Sequence, residues 1–194
     1  SASIAKQREH SIERFAELGL PTRKKEAYKY TDISKVIDRP YTLPLAPEKP
    51  PVVEDEIEPF LIDDLGGHRL VLVNGRVDES LSDIGDLPDG VVVSSLEEAG
   101  KTCPDIVEEH YGEYVDFEDD AMAALNTAFV QDGAFVYVPK GTVLEEPIFV
   151  LHVNAGSDDL LIQPRHLFVV EDGAIAQIIE KQHSVTDART FTNT

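Results

Sequence analysis

Residues 124–152 read ALNTAFVQDGAFVYVPKGTVLEEPIFVLH, and residues 163–180 read QPRHLFVVEDGAIAQIIE. Short apolar strands recur through both stretches, punctuated by Gly and Pro. One tripeptide returns, Asp132-Gly133-Ala134 and Asp172-Gly173-Ala174, and each copy opens a strand rich in apolar residues. The offset of about 40 residues falls within the ~20–50 residue periods of stacked-repeat folds. The pattern predicts strands over 134–138, 148–153, 166–171 and 174–179, then a turn and one more strand within 184–194. The sequence stops at Thr194 inside that last strand, so the expectation is of a repetitive β architecture cut short. A run such as Ile148-Phe149-Val150-Leu151 calls for burial on both faces or cover by a helix. No helical pattern long enough for a βαβ crossover separates these strands, which disfavours a doubly wound parallel sheet. A sandwich and a parallel β-helix both remain, and the repeated DGA favours the β-helix.

Toward the N-terminus the periodicity changes. Ile4, Arg8, Ile12, Phe15 and Ala16 share one helical stripe, and Gly19 and Pro21 end it. Residues 22–37 are basic at first, with Tyr28, Tyr30, Ile33, Val36 and Ile37 as the expected anchors. Pro40, Pro44, Pro47, Pro50 and Pro51 make an extended connector, and the acidic residues 54–60 read as mobile. Residues 68–81 form a hairpin pattern around Asn74-Gly75, a type I′ turn signal. A short strand is expected over 90–94. Ser95-Leu96-Glu97-Glu98 fits a capping box that starts a helix. Residues 104–111 give a second short helix stopped by Gly112, and residues 119–128 a third whose leading acids suit a helix N-terminus. The expected division is 1–118, a helical and α+β region, and 119–194, the start of a β core.

Composition narrows the class. The chain has 194 residues, 42% of them hydrophobic, and a net charge of −20. Residues 1–50 hold ten Lys/Arg against seven Asp/Glu, so residues 51–194 carry all of the excess acid. An acidic body repels phosphate backbones, which argues against nucleic-acid binding. The basic N-terminal segment can dock on an acidic partner or on the chain's own acidic body. No apolar run approaches the roughly 20 residues of a membrane span, and Ser1-Ala2-Ser3 leads straight into a charged helical pattern without a signal peptide. Cys103 is the one cysteine. An intrachain disulfide is impossible, and a Cys-based zinc or self-contained iron–sulfur site, needing about four ligands, is not provided for. This usage fits a cytoplasmic protein.

Two segments together resemble a known family. LGLPTRKKEAYKYTD at residues 18–32 looks like the N-terminal signature of the SufD branch of the SufB/SufD family of iron–sulfur cluster assembly proteins. Leu125-Asn126-Thr127-Ala128-Phe129, Asp132-Gly133-Ala134-Phe135-Val136, Val138-Pro139-Lys140-Gly141 and Glu146-Pro147-Ile148 look like the entry into that family's core. Pro164-Arg165-His166 and Phe191-Thr192-Asn193-Thr194 continue the match. These motifs are ordinary singly and specific in this order. Tyr28 stands where the family carries Trp.

The resemblance implies a mixed fold: an N-terminal helical and α+β region followed by the first coils of a right-handed parallel β-helix, here truncated. It implies a scaffold subunit paired with a SufB-like subunit and a SufC-like ATPase, on which clusters are built. The later coils and the ATPase-docking C-terminal domain have no counterpart in these residues. No catalytic or cluster-binding residue is therefore carried over. No cofactor is expected on this segment alone; the iron–sulfur cluster belongs to the full assembly.

The residues offer few constellations of their own. Cys103, before Pro104, can bind metal or accept sulfur as a thiolate, but a small buried hydrophobe is the simpler reading. His152 and His166, as an in-register pair, can ligate a metal, yet the pattern supplies no third ligand. Asp158-Asp159 with Arg165 can make a carboxylate site like that of polysaccharide-cleaving β-helices, whereas Gly156-Ser157-Asp158-Asp159 reads more simply as a turn with solvated acids. Gly66-Gly67 and Lys140-Gly141-Thr142 lack phosphate-loop spacing. The sequence thus assigns no catalytic, cofactor-binding or metal residue and points to a non-enzymatic scaffold; a β-helix polysaccharide-acting enzyme and a generic interaction module are the alternatives. A stack cut between coils exposes strand edges, so the 194-residue chain is expected to form a homo-oligomer through its C-terminal end or to fray there. Light scattering coupled to size exclusion checks this; a monomer with an ordered C-terminus contradicts it.

Overall fold

In the computed structural model, which describes residues 2–37, 39–44 and 52–194, helix α1 (Ala2–Leu18) leads the chain. Gly19, at φ 63°, ends it by donating its N–H to the Phe15 carbonyl. Two 3₁₀ turns follow, Glu26–Tyr28 and Ile33–Lys35. Tyr28, Ile33 and Ile37 pack beside Met122 and Leu125, but Tyr30 is 88% and Val36 41% exposed. Two of the five expected anchors therefore fail. A short turn has one buried side, and Ile33 and Ile37, four residues apart, occupy it. The basic segment docks on the chain's own body: Lys25 donates to the Asp119 carbonyl, and Arg14 pairs with Glu118.

Pro47, Pro50 and Pro51 of the expected connector lie outside the described residues. Residues 54–60 are helical rather than loose. Helix α2 (Glu54–Ile57) runs into a 3₁₀ turn (Glu58–Phe60), Glu54 pairs with Arg69, and Ile57 is fully buried. The acidic composition hid one apolar residue with a core position.

Next come β1 (His68–Val73) and β2 (Arg76–Val77), joined by Asn74 and Gly75 at φ 50° and 82°. Both positive values are what a type I′ turn requires. Strand β3 (Val92–Ser95) leads into α3 (Leu96–Thr102), where the Ser95 side chain accepts from the Glu98 N–H. Helix α4 (Pro104–His110) follows, then α5 (Ala121–Phe129), capped by the Asp120 carboxylate on the Met122 and Ala123 N–H groups. The remaining strands are β4 (Ala134–Val138), β5 (Ile148–Asn154), β6 (Leu160–Ile162), β7 (Leu167–Val170), β8 (Ile178–Ser184) and β9 (Thr190–Thr192). Strand β8 replaces the strand expected over 174–179, and β6 was not expected.

These strands form three sheets, ordered β2-β1-β5-β8, β3-β4-β7 and β6-β9. Pairing is parallel for β1-β5, β5-β8, β4-β7 and β6-β9. Ile148 pairs with Ile178, Phe135 with Leu167 and Leu160 with Thr190, so a residue meets its partner 30 to 32 positions later in all three sheets. None of the sheets closes. From β4 onward the chain passes along them twice, and the first of these passages is sealed on both sides. Leu70, Val136, Ile148 and Val150 fill the space between the two larger sheets. The outer faces of β1 and β5 lie under Ile57, Phe60 and Leu81. Phe135 of β4 packs outward against Ala99 of α3 and Val107 of α4. All seven residues of β5 are buried, which is what its unbroken apolar run required. Strands β1 and β3, from before residue 118, pair with β5 and β4 from after it. Among the described residues, no helix is long and apolar enough to cross a membrane.

The 40-residue DGA recurrence is not the structural period. Asp132 is buried, accepting from the Val77 and Glu97 N–H groups. Gly133 presses on the backbone of Arg165, and Ala134 is in the core. The second copy is a surface turn: Asp172 is exposed, and Gly173 has a φ of 71°. The same three residues thus meet two unrelated demands, close approach and a left-handed turn. A Cβ at Gly133 would overlap the Arg165 carbonyl oxygen, whereas one at Gly173 has room but the wrong φ. Gly133→Ala is expected to cost about 3 kcal/mol through overpacking, and Gly173→Ala about 1 kcal/mol through backbone strain. Urea unfolding of the two variants checks this ranking; equal losses contradict it.

Candidate functional site

Strand β5 carries one ionisable residue, His152, and its side chain points to the same side as Ile148 and Val150, into the space between the sheets. Register sets its neighbour. Val150 pairs with Glu180 and His152 with Gln182, so Glu180 of β8 sits on the adjoining strand two positions back, on the same face, within reach of a long side chain. His166, just ahead of β7, approaches from the other large sheet. The two imidazole centres are 5.0 Å apart, edge to face. His152 Nε2 lies 2.8 Å from Glu180 Oε1, and His166 Nε2 lies 3.5 Å from the same oxygen. The two histidine side chains are almost wholly buried, while that of Glu180 is about half exposed. The two histidines are therefore not an in-register strand pair. The two rings belong to different sheets and meet across the interior, with Glu180 between them.

The hydrogen bond on the far side of His166 decides the chemistry. The Ala134 N–H donates to His166 Nδ1 at 2.8 Å, so Nδ1 carries a lone pair, and a neutral ring holds its proton on Nε2. That proton faces Glu180. The nitrogen and oxygen atoms of the three residues lie within 4.8 Å of one another, a spacing that suits a cation. An imidazole that ligates through Nε2 must leave that atom unprotonated and move its proton to Nδ1, where the Ala134 N–H already points. With Nδ1 accepting from Ala134, the His166 Nε2 proton faces Glu180, and the three side chains keep the spacing of a cation site. Both Nε2 atoms sit close to the carboxylate without ideal hydrogen-bond alignment. Burial, and then the neighbouring His166, push the His152 pKa down to about 4 against a smaller opposing pull from Glu180. Glu180 is held down to about 2, first by its His166 contact and further by the nearness of His152, against a desolvation that works the other way.

The other candidates separate. Arg165 is buried, donating from Nε to Asn126 Oδ1 and from a terminal nitrogen to Thr127 Oγ1, each at 2.8 Å, with the Tyr111 ring 5.9 Å away. Asp159 instead faces Arg39 and accepts from the Arg189 N–H, and Asp158 is exposed. Asp158, Asp159 and Arg165 do not come together as a carboxylate site, because Arg165 ties α5 to the start of β7. Cys103 is half-buried between α3 and α4 beside Ala99 and Val107, in a packing role. Glu180 was the residue that sequence reasoning missed. Its signal was the 30-residue offset between IFVLHVN and IIEKQHS, which places an acid beside the histidine strand.

Comparison with known proteins follows the same lines. The family model for the SufBD protein N-terminal region matches residues 1–150. An iron–sulfur cluster assembly SufBD family protein of Synechocystis is 27% identical over 186 residues, 94% of this chain and 40% of that protein. Iron–sulfur cluster assembly protein SufD of Escherichia coli is 28% identical over 189 residues, 96% of this chain and 41% of SufD. Iron–sulfur cluster assembly protein SufB of Bacillus subtilis is 32% identical over 91 residues, 47% of this chain and 19% of SufB. The chain spans less than half the length of each.

The shift at His152 sets an acid dependence. Its folded pKa lies below its unfolded one, so between pH 6.5 and about 4 the unfolded chain binds more protons. Its contribution to stability is complete above pH 6.5 and is lost as pH falls toward 4, by up to about 3 kcal/mol. Chemical denaturation from pH 7.5 to 4 should show this loss, and His152→Gln should flatten the curve over that window; an unchanged slope in the variant contradicts the assignment.

Proposed function

Since the chain belongs to the SufB/SufD family of iron–sulfur cluster assembly proteins, we propose that it is a non-catalytic scaffold segment acting through protein contacts in a Suf-type complex. The observation that carries this reading is the family match over residues 1–150. The site chemistry supports it: the buried histidines already share one carboxylate, and Arg165 is held by Asn126 and Thr127.

We read the two passages as the first two coils of a parallel β-helix, on the strength of the shared 30 to 32 residue register in three sheets. In this reading β8 offers its free edge to whatever continues the stack, since an unpaired strand edge recruits another strand. The partners are a SufB-like subunit and a SufC-like ATPase, in the cytoplasm, and the iron–sulfur cluster is the cargo of the assembly. The ATPase docks outside residues 1–194.

Affinity capture from an extract containing the Suf-type subunits tests the proposal. A longer chain that includes these residues should retain both partners, and the 194-residue chain should not retain the ATPase. Stable ATPase capture by the 194-residue chain, or no partner captured by the longer one, overturns it.

A further inference from the structure

We propose that His152, His166 and Glu180 form a binding site for one divalent transition-metal cation, zinc above all, at the seam between the two passages of strands. The donors are His152 Nε2 on β5, His166 Nε2 just ahead of β7 and a carboxylate oxygen of Glu180 on β8, all within 4.8 Å of one another. The site goes beyond the scaffold reading and does not rest on it.

The spacing is that of a coordination shell. Zinc bonds of about 2.0–2.2 Å at tetrahedral angles set neighbouring donors roughly 3.4 Å apart. Glu180 Oε1 lies 2.8 Å from His152 Nε2 and 3.5 Å from His166 Nε2, one on each side of that value. Both Nε2 atoms are enclosed by protein, and neither has a hydrogen-bond partner among the described residues. The side chains that carry them are 5% and 10% exposed. A buried polar atom in this position is costly, and a cation between the rings and the carboxylate meets both. The Glu180 side chain is 45% exposed, so an ion enters from that side and keeps water there. At neutral pH Glu180 is a carboxylate and the His152 ring is uncharged, the states that a cation requires.

Two imidazoles and one carboxylate, with a further position open to water, are a zinc donor set. Magnesium and calcium call for more oxygen ligands. The set holds no sulfur, and Cys103 lies apart between α3 and α4, so the site does not suit an iron–sulfur cluster held by thiolates. The nearby basic side chains turn elsewhere: Lys181 donates to the Phe60 carbonyl, and Arg165 to Asn126 and Thr127. His166 adds a signature. Its Nδ1 accepts from the Ala134 N–H at 2.8 Å. Ligation through Nε2 moves the ring proton to Nδ1, where it meets that N–H head-on. The cation and the Ala134 hydrogen bond therefore exclude each other.

Zinc titration by calorimetry of the chelator-treated, untagged 194-residue chain tests the site. One equivalent should bind. Glu180→Gln and His166→Gln should each weaken binding at least tenfold, while His10→Gln, at the surface pair with Glu118, should leave it within twofold. Circular dichroism checks that the variants fold; if His166→Gln does not, Glu180→Gln, on a strand with no fully buried residue, carries the substitution test. NMR of the unsubstituted chain supplies a separate readout. Zinc should shift the Nε2 resonances of His152 and His166 and lower the exchange protection of the Ala134 amide at least tenfold. Failure to bind one equivalent, binding that survives in Glu180→Gln or is lost in His10→Gln, or an Ala134 amide that stays protected in the zinc-loaded chain overturns the proposal.

Discussion

Strand β5 leaves no side free for water. Its edges pair with β1 and β8, its inner face fills the space between two sheets, and its outer face lies beneath Ile57 and Leu81. A backbone this deeply buried must place every N–H and C=O in a ladder. The chain must therefore return alongside, and it does so 30 residues later at β8. The polar exception follows from the same constraint. His152 occupies an inward position of a strand with no solvent-facing side, so its ring needs a partner from elsewhere in the fold. Register delivers Glu180 on one side, and the neighbouring sheet delivers His166 on the other.

Local chemistry was legible in the sequence. Ser95 and Asp120 cap the helices that their patterns predicted, Asn74-Gly75 turns the hairpin, and β4 and β5 begin at the expected residues. Period and register were not. The repeated DGA invited an offset of about 40 residues, yet the first copy is a buried close approach and the second a surface turn. Strand β6 has three residues, too few to alternate visibly. Ala174 and Ala176 pack against the inner core ahead of β8, so an apolar stretch that resembled a strand is the approach to one. Displacing that strand moved Glu180 from mid-strand to a boundary and hid the third member of the cluster. Which strands pair is a tertiary fact that local patterns do not contain.

Family membership and side-chain chemistry bear on different questions. The match over residues 1–150 places the chain among iron–sulfur cluster assembly proteins. The proposed scaffold role rests on that membership. The His–Glu–His cluster is a feature of these residues themselves: three buried or half-buried polar side chains from β5, β8 and the head of β7 that converge in the interior.

The central claim is the parallel register that seats β5 between β1 and β8. Scalar couplings across hydrogen bonds, measured by NMR in the isotopically labelled chain, read that register without any substitution. The Ile148 amide should couple to the Gln177 carbonyl, and the His68 amide to the Pro147 carbonyl, the donors and acceptors paired at 2.8 and 2.9 Å. Coupling of the Ile148 amide to a carbonyl about 40 residues away, as the DGA period of a stacked repeat would require, would contradict the account.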